Sequence, residues 1–365
     1  MKSILNKKTG YVDYNAIFEP GIKIYMILGQ RADGKTYGAI QDSIQTYAKT
    51  CIPSAYIRRF AESATRSMLQ DLTRPHCGTI KKYTGGKFNA SEYRSRRFYF
   101  TSQGDEPEHD ADPFLYVYAL NTWENAKGAD SGNFHNVIFD EYVSNNKYLP
   151  NEYNIFENVL SSILRTREQS RLIMLGNPIN QVCPYFAEFN IEPHKLKPGD
   201  IVYRKSSNGA VLKFVYVPPM TEKHSTLHSI FDFNKSGSIS TGYWEYGDFP
   251  HIPSGMIKQS EFVYSFAFMF QNQFAVCEFY QKSDIIFCFW RPGNPDKILN
   301  DRDLVLYSDL HMFQPNVYTA FTRNTLTDLY DKCVKSNRQY FADNKTGNLV
   351  KNWYSDFVRN GGRFV

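Results

Sequence analysis

Lys23-Ile24-Tyr25-Met26-Ile27-Leu28 runs straight into Gly29-Gln30-Arg31-Ala32-Asp33-Gly34-Lys35-Thr36. The first stretch is a short, nearly continuous apolar run, the pattern of a strand buried on both faces of a parallel sheet. The second meets the Gly-x-x-x-x-Gly-Lys-Thr phosphate-loop pattern (Walker A), and residues 35–49 then read as a helix. Glycines let backbone N–H groups turn inward onto phosphate oxygens, and the helix N-terminus adds its partial positive charge. Gly29, Gln30, Arg31, Ala32, Asp33, Gly34, Lys35 and Thr36 are therefore all candidate contacts for a nucleoside triphosphate. Lys35 would reach the β- and γ-phosphates of ATP, and the Thr36 hydroxyl would hold Mg²⁺. Arg31 admits two readings: a guanidinium aimed at the γ-phosphate or the catalytic glutamate, or an ordinary exposed loop arginine.

Further along, Ala55 to Ile57 reads as a second strand ending in Arg58-Arg59, and residues 60–72 look helical. Phe114 to Leu120 and Val137 to Phe139 are strand-like, residues 154–164 read as a helix, and Arg171 to Leu175 as a strand ending in Gly176-Asn177-Pro178. Strands alternating with helices predict an α/β domain of the P-loop NTPase class (ASCE-type), a parallel sheet with helices on both faces. Ligands bind such sheets at the carboxyl ends of the strands. The loop at 29, Arg58-Arg59, Asp140-Glu141 and Asn177 all follow apolar strand-like runs.

Asn136-Val137-Ile138-Phe139-Asp140-Glu141 has the form of a Walker B strand. Asp140 would bind the Mg²⁺ shell, and Glu141 would polarise the attacking water, which a hydrolase needs and a binding switch does not. Asn177 either senses the γ-phosphate or caps the turn before Pro178. Arg165, Arg167 and Arg171 cluster after the 154–164 helix. They either complement its dipole or, in a ring, enter the neighbouring subunit's site.

The stretch from Thr79 to Gln103 reads as strand-like and basic. Lys81, Lys82, Lys87, Arg94, Arg96 and Arg97 interleave there with Tyr83, Tyr93, Phe98 and Tyr99. Phosphate-neutralising charge without a base-reading element suits the DNA backbone, and a solvated strand pair is the alternative. The acidic stretch 105–112 that follows is expected to be exposed. Net charge is +5, compatible with a nucleic-acid partner without requiring one. Six cysteines lack any Cys-x-x-Cys or Cys/His spacing, which argues against zinc and for reduced thiols in a cytosolic compartment. Met1 to Asn6 lacks a signal-peptide core, and no segment offers the roughly 20 apolar residues of a membrane span. The expectation is a soluble intracellular protein with no membrane partner.

After Pro218-Pro219 the pattern changes. Residues 221–250 read as a linker between an ATPase domain (1–220) and a smaller α+β domain (251–365). Three consecutive strands are expected at 261–271, 274–280 and 284–290, with helices at 326–335 and 349–359. Much of the 16% aromatic content falls after residue 240.

Residues 23–190 resemble the DNA encapsidation ATPases of phi29-like tailed phages. The resemblance rests on the Arg-bearing phosphate loop, Tyr56-Ile57-Arg58-Arg59, Arg97-Phe98-Tyr99-Phe100, Val137 to Tyr142 and Pro150-Asn151-Glu152. Arg165-Thr166-Arg167-Glu168 and the run from Gly176-Asn177-Pro178 to Pro184-Tyr185-Phe186 extend it, in the family's order. It implies a homomeric, pentameric ring motor at the capsid portal (connector) that drives double-stranded DNA into a prohead. Such a motor works in the host cytoplasm, transiently at the portal vertex, and in that family a structural RNA joins the ring to the prohead. Arg165 falls at the arginine-finger position, acting in trans. The family's second domain is similar to an RNase H-type nuclease that has lost activity. In agreement, Ser265 to Phe270 carries no carboxylate, and Glu278 and Asp284 do not complete a two-metal set. A docking domain for RNA, connector or DNA is the expectation. Two competing readings are a terminase-type motor with an active nuclease and a non-hydrolysing, nucleotide-gated assembly protein.

Overall fold

The computed structural model describes residues 4–63, 66–103, 107–122, 133–144, 148–149, 151–164, 170–181, 183–219, 249–252, 257–270, 273–308, 313–319 and 325–359. The chain forms two compact units, residues 1–245 and 246–365. The expected linker, 221–250, falls almost wholly outside the described residues.

The strands of the first unit are β1 (Ile24–Leu28), β2 (Ser54–Arg58), β3 (Ala90–Arg94), β4 (Arg97–Thr101), β5 (Leu115–Ala119), β6 (Asn136–Asp140), β7 (Arg171–Gly176), β8 (Ile201–Lys205) and β9 (Val211–Tyr216). Its helices are α1 (Tyr14–Ile17), α2 (Lys35–Thr50), α3 (Arg66–Thr73), α4 (Cys77–Tyr83), α5 (Glu152–Leu164) and α6 (Pro184–Glu188). The fold is mixed α/β around one nine-stranded sheet of order β3-β4-β5-β2-β6-β7-β1-β9-β8. The inner strands β5, β2, β6, β7, β1 and β9 run parallel. Antiparallel partners β4, with β3 beyond it, and β8 close the two edges.

β1 is apolar without alternation because both of its faces are covered. Tyr25 and Ile27 pack with Ile40 and Ile44 of α2 on one side of the sheet. Met26 and Leu28 pack with Phe156, Val159 and Ile163 of α5 on the other. The parallel registers bring the strand ends level: Leu28 lies beside Gly176, Asp140 beside Leu175, and Ile57 beside Phe139. Loops leaving β1, β7, β6 and β2 therefore start side by side.

Two segments depart from the sequence reading. Residues 77–83 are helix α4 rather than strand, so Lys81 and Lys82 are helical. One apolar side chain, Ile80, is buried, and the Thr84 hydroxyl caps the end by donating to the Ile80 carbonyl at 2.8 Å. The strand-like character begins only at Ala90, in the β3–β4 hairpin. The β8–β9 hairpin was not anticipated, since Lys213 interrupts its apolar run. Lys213 is nonetheless buried, donating to the Ile17 carbonyl (2.8 Å) and to Glu19 Oε1 (2.5 Å).

The second unit carries the expected meander, β10 (Phe262–Phe270), β11 (Gln273–Lys282) and β12 (Ile285–Pro292). β13 (Val305–Ser308), β14 (Val317–Tyr318) and β15 (Gln339–Phe341) were not expected, and extend it into a six-stranded sheet of order β14-β13-β10-β11-β12-β15. Helices α7 (Pro295–Asn300), α8 (Thr325–Lys335) and α9 (Asn344–Arg359) complete it. The late aromatic content is its core: Trp290 is fully buried among Phe266, Phe268 and Tyr330, and Trp353 stacks on Phe268 at 4.5 Å. Among the described residues, no helix is long and apolar enough to cross a membrane.

In the first unit, Arg59 ties the end of β2 to α5. Its Nε donates to Glu152 Oε2 at 2.8 Å, and its Nη atoms donate to the carbonyls of Glu141 (3.0 Å) and Tyr142 (2.8 Å). Glu152 is buried and also accepts from the Tyr185 hydroxyl at 2.8 Å. Removing one partner of a buried pair strands the other, so Glu152→Ala is expected to cost about 3–5 kcal/mol in denaturant unfolding. A loss below about 1 kcal/mol, the scale of a surface pair, would contradict this.

Candidate active site

The loop after β1 closes on itself through its glycines. The Gly29 N–H donates to the Gly176 carbonyl at 3.1 Å, anchoring the loop to β7. A Cβ on Gly29 would stand 2.2 Å from Asp33 Oδ2 and 2.9 Å from Val217 Cβ, so only glycine fits. Ala32 (φ 64°) and Gly34 (φ 81°) take the left-handed conformation that turns the chain into α2. An N-terminal strap holds the loop from outside. The Val12 N–H donates to the Asp33 carbonyl (2.9 Å) and the Tyr14 hydroxyl to the Lys35 carbonyl (2.6 Å). The first turn of α2, Lys35 to Tyr37, lines the cleft with the helix's positive end, and the Lys35 N–H donates to Asp33 Oδ1 at 3.2 Å.

Lys35 lies almost buried. Its ammonium donates to the carbonyls of Gly29 (3.0 Å) and Gln30 (2.7 Å), to Asp33 Oδ1 (2.8 Å) and to Asn177 Oδ1 (3.1 Å). Burial pushes the Asp33 carboxyl above its ordinary value, against the pull of Lys35 beside it. Asp33 Oδ2 has no hydrogen-bond partner. The loop therefore carries an internal anion competing for the cation that an incoming anion would use.

The Thr36 hydroxyl stands 3.3 Å from both oxygens of Asp140. A hydroxyl facing a carboxylate is an all-oxygen donor pair, the chemistry hard Mg²⁺ prefers, and the pair fits that ion. Asp140 also accepts from the Tyr56 hydroxyl (2.6 Å) and from Arg58 Nη1 (3.2 Å). Burial and the Asp140 charge push the Tyr56 phenol far up, so it stays a proton donor. Glu141, at φ 60°, leaves the strand line, and its Oε2 accepts from Arg58 Nη2 at 3.0 Å. Arg58 thus bridges both carboxylates. Asp140 is nearly buried, whereas the Glu141 side chain is 58% exposed.

Together these groups line a cleft of about 750 Å³. Its lining changes character along the loop. Asp140, Glu141 and Asn177 stand where the sheet strands end, and Tyr11, Tyr37 and Pro75 surround the start of α2.

The family model of the Podovirus DNA encapsidation protein (Gp16) matches residues 6–205, more than half of the chain. The chain belongs to this family. The DNA packaging proteins of Bacillus phages PZA and phi29 are each 27% identical to it over 179 residues, 46% of this chain and 46% of theirs. The chain thus spans about half the length of these curated relatives. A solved structure of the bacteriophage Phi-29 viral genome packaging motor assembly shares the fold. It has a TM-score of 0.56 at 16% identity and covers 96% of this chain and 98% of that one.

Within this Gp16-family fold, Lys35, Thr36, Asp140, Glu141 and Asn177 converge on one cleft. Asn177 reaches Lys35 rather than only capping its own turn. Arg31 is exposed on the loop and lines the cleft. Gln30 points inward instead, its side-chain amide buried without a hydrogen-bond partner. Arg165 and Arg167 lie outside the described residues. Arg171 does not belong to a helix-end cluster. It opens β7, pairs with Asp42 (2.8 Å), donates to Asn136 Oδ1 (3.1 Å) and lies over the Phe18 ring (4.0 Å).

The basic set is split between α4, which carries Lys81 and Lys82, and the hairpin edge. Lys87 lies between them, over Phe88, while Arg94 lies over Tyr99 and Arg97 over Tyr116. Ser95 and Arg96, both at positive φ, form the hairpin turn. Lys81, Lys82, Lys87, Arg94 and Arg96 are exposed.

Sequence reading marked Arg58 as a strand end without giving it a role. Two consecutive cations closing a buried strand were the available signal. Asp33 was read as one of the loop's candidate nucleotide contacts, with no part assigned to its charge. Converting it to a neutral amide removes a negative charge and frees Lys35. Asp33→Asn is expected to tighten binding of inorganic tripolyphosphate, measured by calorimetry, by on the order of tenfold. Unchanged or weaker binding would count against Asp33 as the competitor.

Proposed function

We propose that the chain is the ATP-hydrolysing subunit of a motor that moves double-stranded viral DNA into a preformed capsid. The observation that carries this is the Asp140-Glu141 pair, bridged by Arg58, in the same cleft as Lys35 and Thr36. A binding site needs Lys35, Thr36 and Asp140. A water-activating carboxylate beside them serves hydrolysis. The order β9-β1-β7-β6-β2, with one strand between the loop-bearing and Asp-Glu strands, supports the ASCE P-loop assignment.

In this reading the N–H groups of the loop and Lys35 take the β- and γ-phosphates, and Thr36 and Asp140 hold Mg²⁺. When bound, that ion supplies charge neutralisation to the phosphate oxygens. Glu141 orients the water and accepts its proton as oxygen attacks phosphorus and the β–γ bridge breaks. With Arg58 holding Oε2, Oε1 of the exposed Glu141 side chain is the oxygen that would accept the proton. Arg31, exposed at the rim, would reach γ-phosphate oxygens. Asn177, already on Lys35, would report whether the γ-phosphate is present.

Family membership supports the remaining assignments. DNA would be held by backbone contacts from Lys81, Lys82, Lys87, Arg94, Arg96 and Arg97. Arg165 would act from a neighbouring copy in a homomeric, pentameric ring. The ring would sit at the portal of a prohead in the host cytoplasm, with a packaging RNA as a further partner. The second unit would be an RNase H-like domain without nuclease activity. Its order β12-β11-β10-β13-β14, three antiparallel strands followed by two parallel ones, supports that fold. Glu278 is already engaged by Arg291 (2.5 Å) and Tyr280 (2.9 Å), which favours docking over metal-dependent cleavage.

Lys35→Ala is expected to abolish ATP binding. Glu141→Gln should keep ATP affinity within about threefold while turnover falls by roughly 10²–10⁴. Phosphate-release assays and equilibrium binding on the same preparations decide the matter. Full turnover in Glu141→Gln would remove the general base from this account.

A further inference from the structure

The mechanism leaves the aromatic part of the cleft unused. Tyr11 and Tyr37 are among the few large apolar side chains left exposed in the first unit, at 42% and 39%. Their ring centroids stand 6.5 Å apart with a 37° tilt, a wedge rather than a closed stack. Both are held in place from behind. Tyr11 packs on Gly34, where a Cβ would come within 2.9 Å of the Tyr11 Cβ and Cγ. Tyr37 stacks on His76 with centroids 4.3 Å apart and 25° between planes. His76 is fully buried, neither ring nitrogen has a hydrogen-bond partner, and burial holds the imidazole neutral, its pKa down to about 4. A polar ring placed there without partners acts as a flat support for Tyr37. Pro75, from the same turn, completes the rim.

The direction of the ligand follows from the residues around it. A triphosphate on Lys35 has its γ end toward Asp140 and Glu141, at the strand ends. Its other end leaves past Thr36 over the first turn of α2, where Tyr37 and Tyr11 stand. We propose that Tyr11 and Tyr37 form the nucleobase subsite and hold the base by stacking. This rests on the reading of residues 29–36 as the phosphate cradle. Aromatic faces stack on any base, and among the described residues this end of the cleft is lined by Tyr11, Tyr37 and Pro75, none of which carries a side-chain amide to read a base edge. The subsite would therefore favour purines over pyrimidines by area and separate ATP from GTP only weakly.

Calorimetry on the full chain with Mg²⁺ tests this using ADP, GDP, CDP and inorganic tripolyphosphate. Tyr37→Ala and Tyr11→Ala should each weaken ADP binding about tenfold, the scale of one lost base–aromatic stack. Tripolyphosphate affinity should stay within about twofold, and Tyr37→Phe should bind ADP as the parent does. ADP and GDP should differ by less than about fivefold, with CDP weaker than both. Alanine variants that bind ADP as tightly as the parent overturn the subsite. So does an equal loss of ADP and tripolyphosphate, which would make the rings mere supports of the loop. A parent protein that binds ADP but not tripolyphosphate overturns the cradle, and the subsite with it.

Discussion

A buried ammonium has to be surrounded by acceptors, and Lys35 takes its acceptors from two places, its own loop and the end of β7, brought level by the sheet register. Two are loop carbonyls, one is the Asp33 carboxylate and one is Asn177, 142 residues further on. That arrangement exists only if β1 and β7 pair in phase, with Leu28 beside Gly176. The Gly29 N–H, donating to the Gly176 carbonyl at 3.1 Å, holds that phase where the loop leaves the strand. The site is thus a consequence of how the sheet is assembled.

The β2–β6 register, with Ile57 beside Phe139, sets Arg58 against Asp140 and Glu141. Three charged groups and the Tyr56 phenol are compensated within one cluster, and Arg59 next door is compensated by Glu152 and two carbonyls. Each buried charge depends on a neighbour, so a change at one is felt at the others. On the proposed function, phosphates would act on this balance by competing with Asp33 for Lys35.

Much of this was legible in the sequence. β1, the loop, α2, β6 with Asp140-Glu141, and Asn177 were read from apolar runs that end in polar residues. They were readable because strand, turn and helix are local patterns. What escaped reading depended on distant partners. Lys213 carried no signal in the sequence and is buried because Glu19 and the Ile17 carbonyl meet it. Asp33 was read as a nucleotide contact and is instead folded inward onto Lys35, where Gly29 leaves room. Arg58 bridges two carboxylates more than eighty residues away. Residues 77–83 carry one buried apolar side chain, too weak a period to separate helix from strand. The strap formed by Val12 and Tyr14 left no motif at all.

The central claim is that this cleft hydrolyses ATP in the service of DNA movement. Steady-state phosphate release by the assembled full-length chain, with and without double-stranded DNA, tests it most directly. Turnover that rises severalfold with DNA is the predicted result. ATP bound stoichiometrically with no phosphate released in either condition would contradict the account.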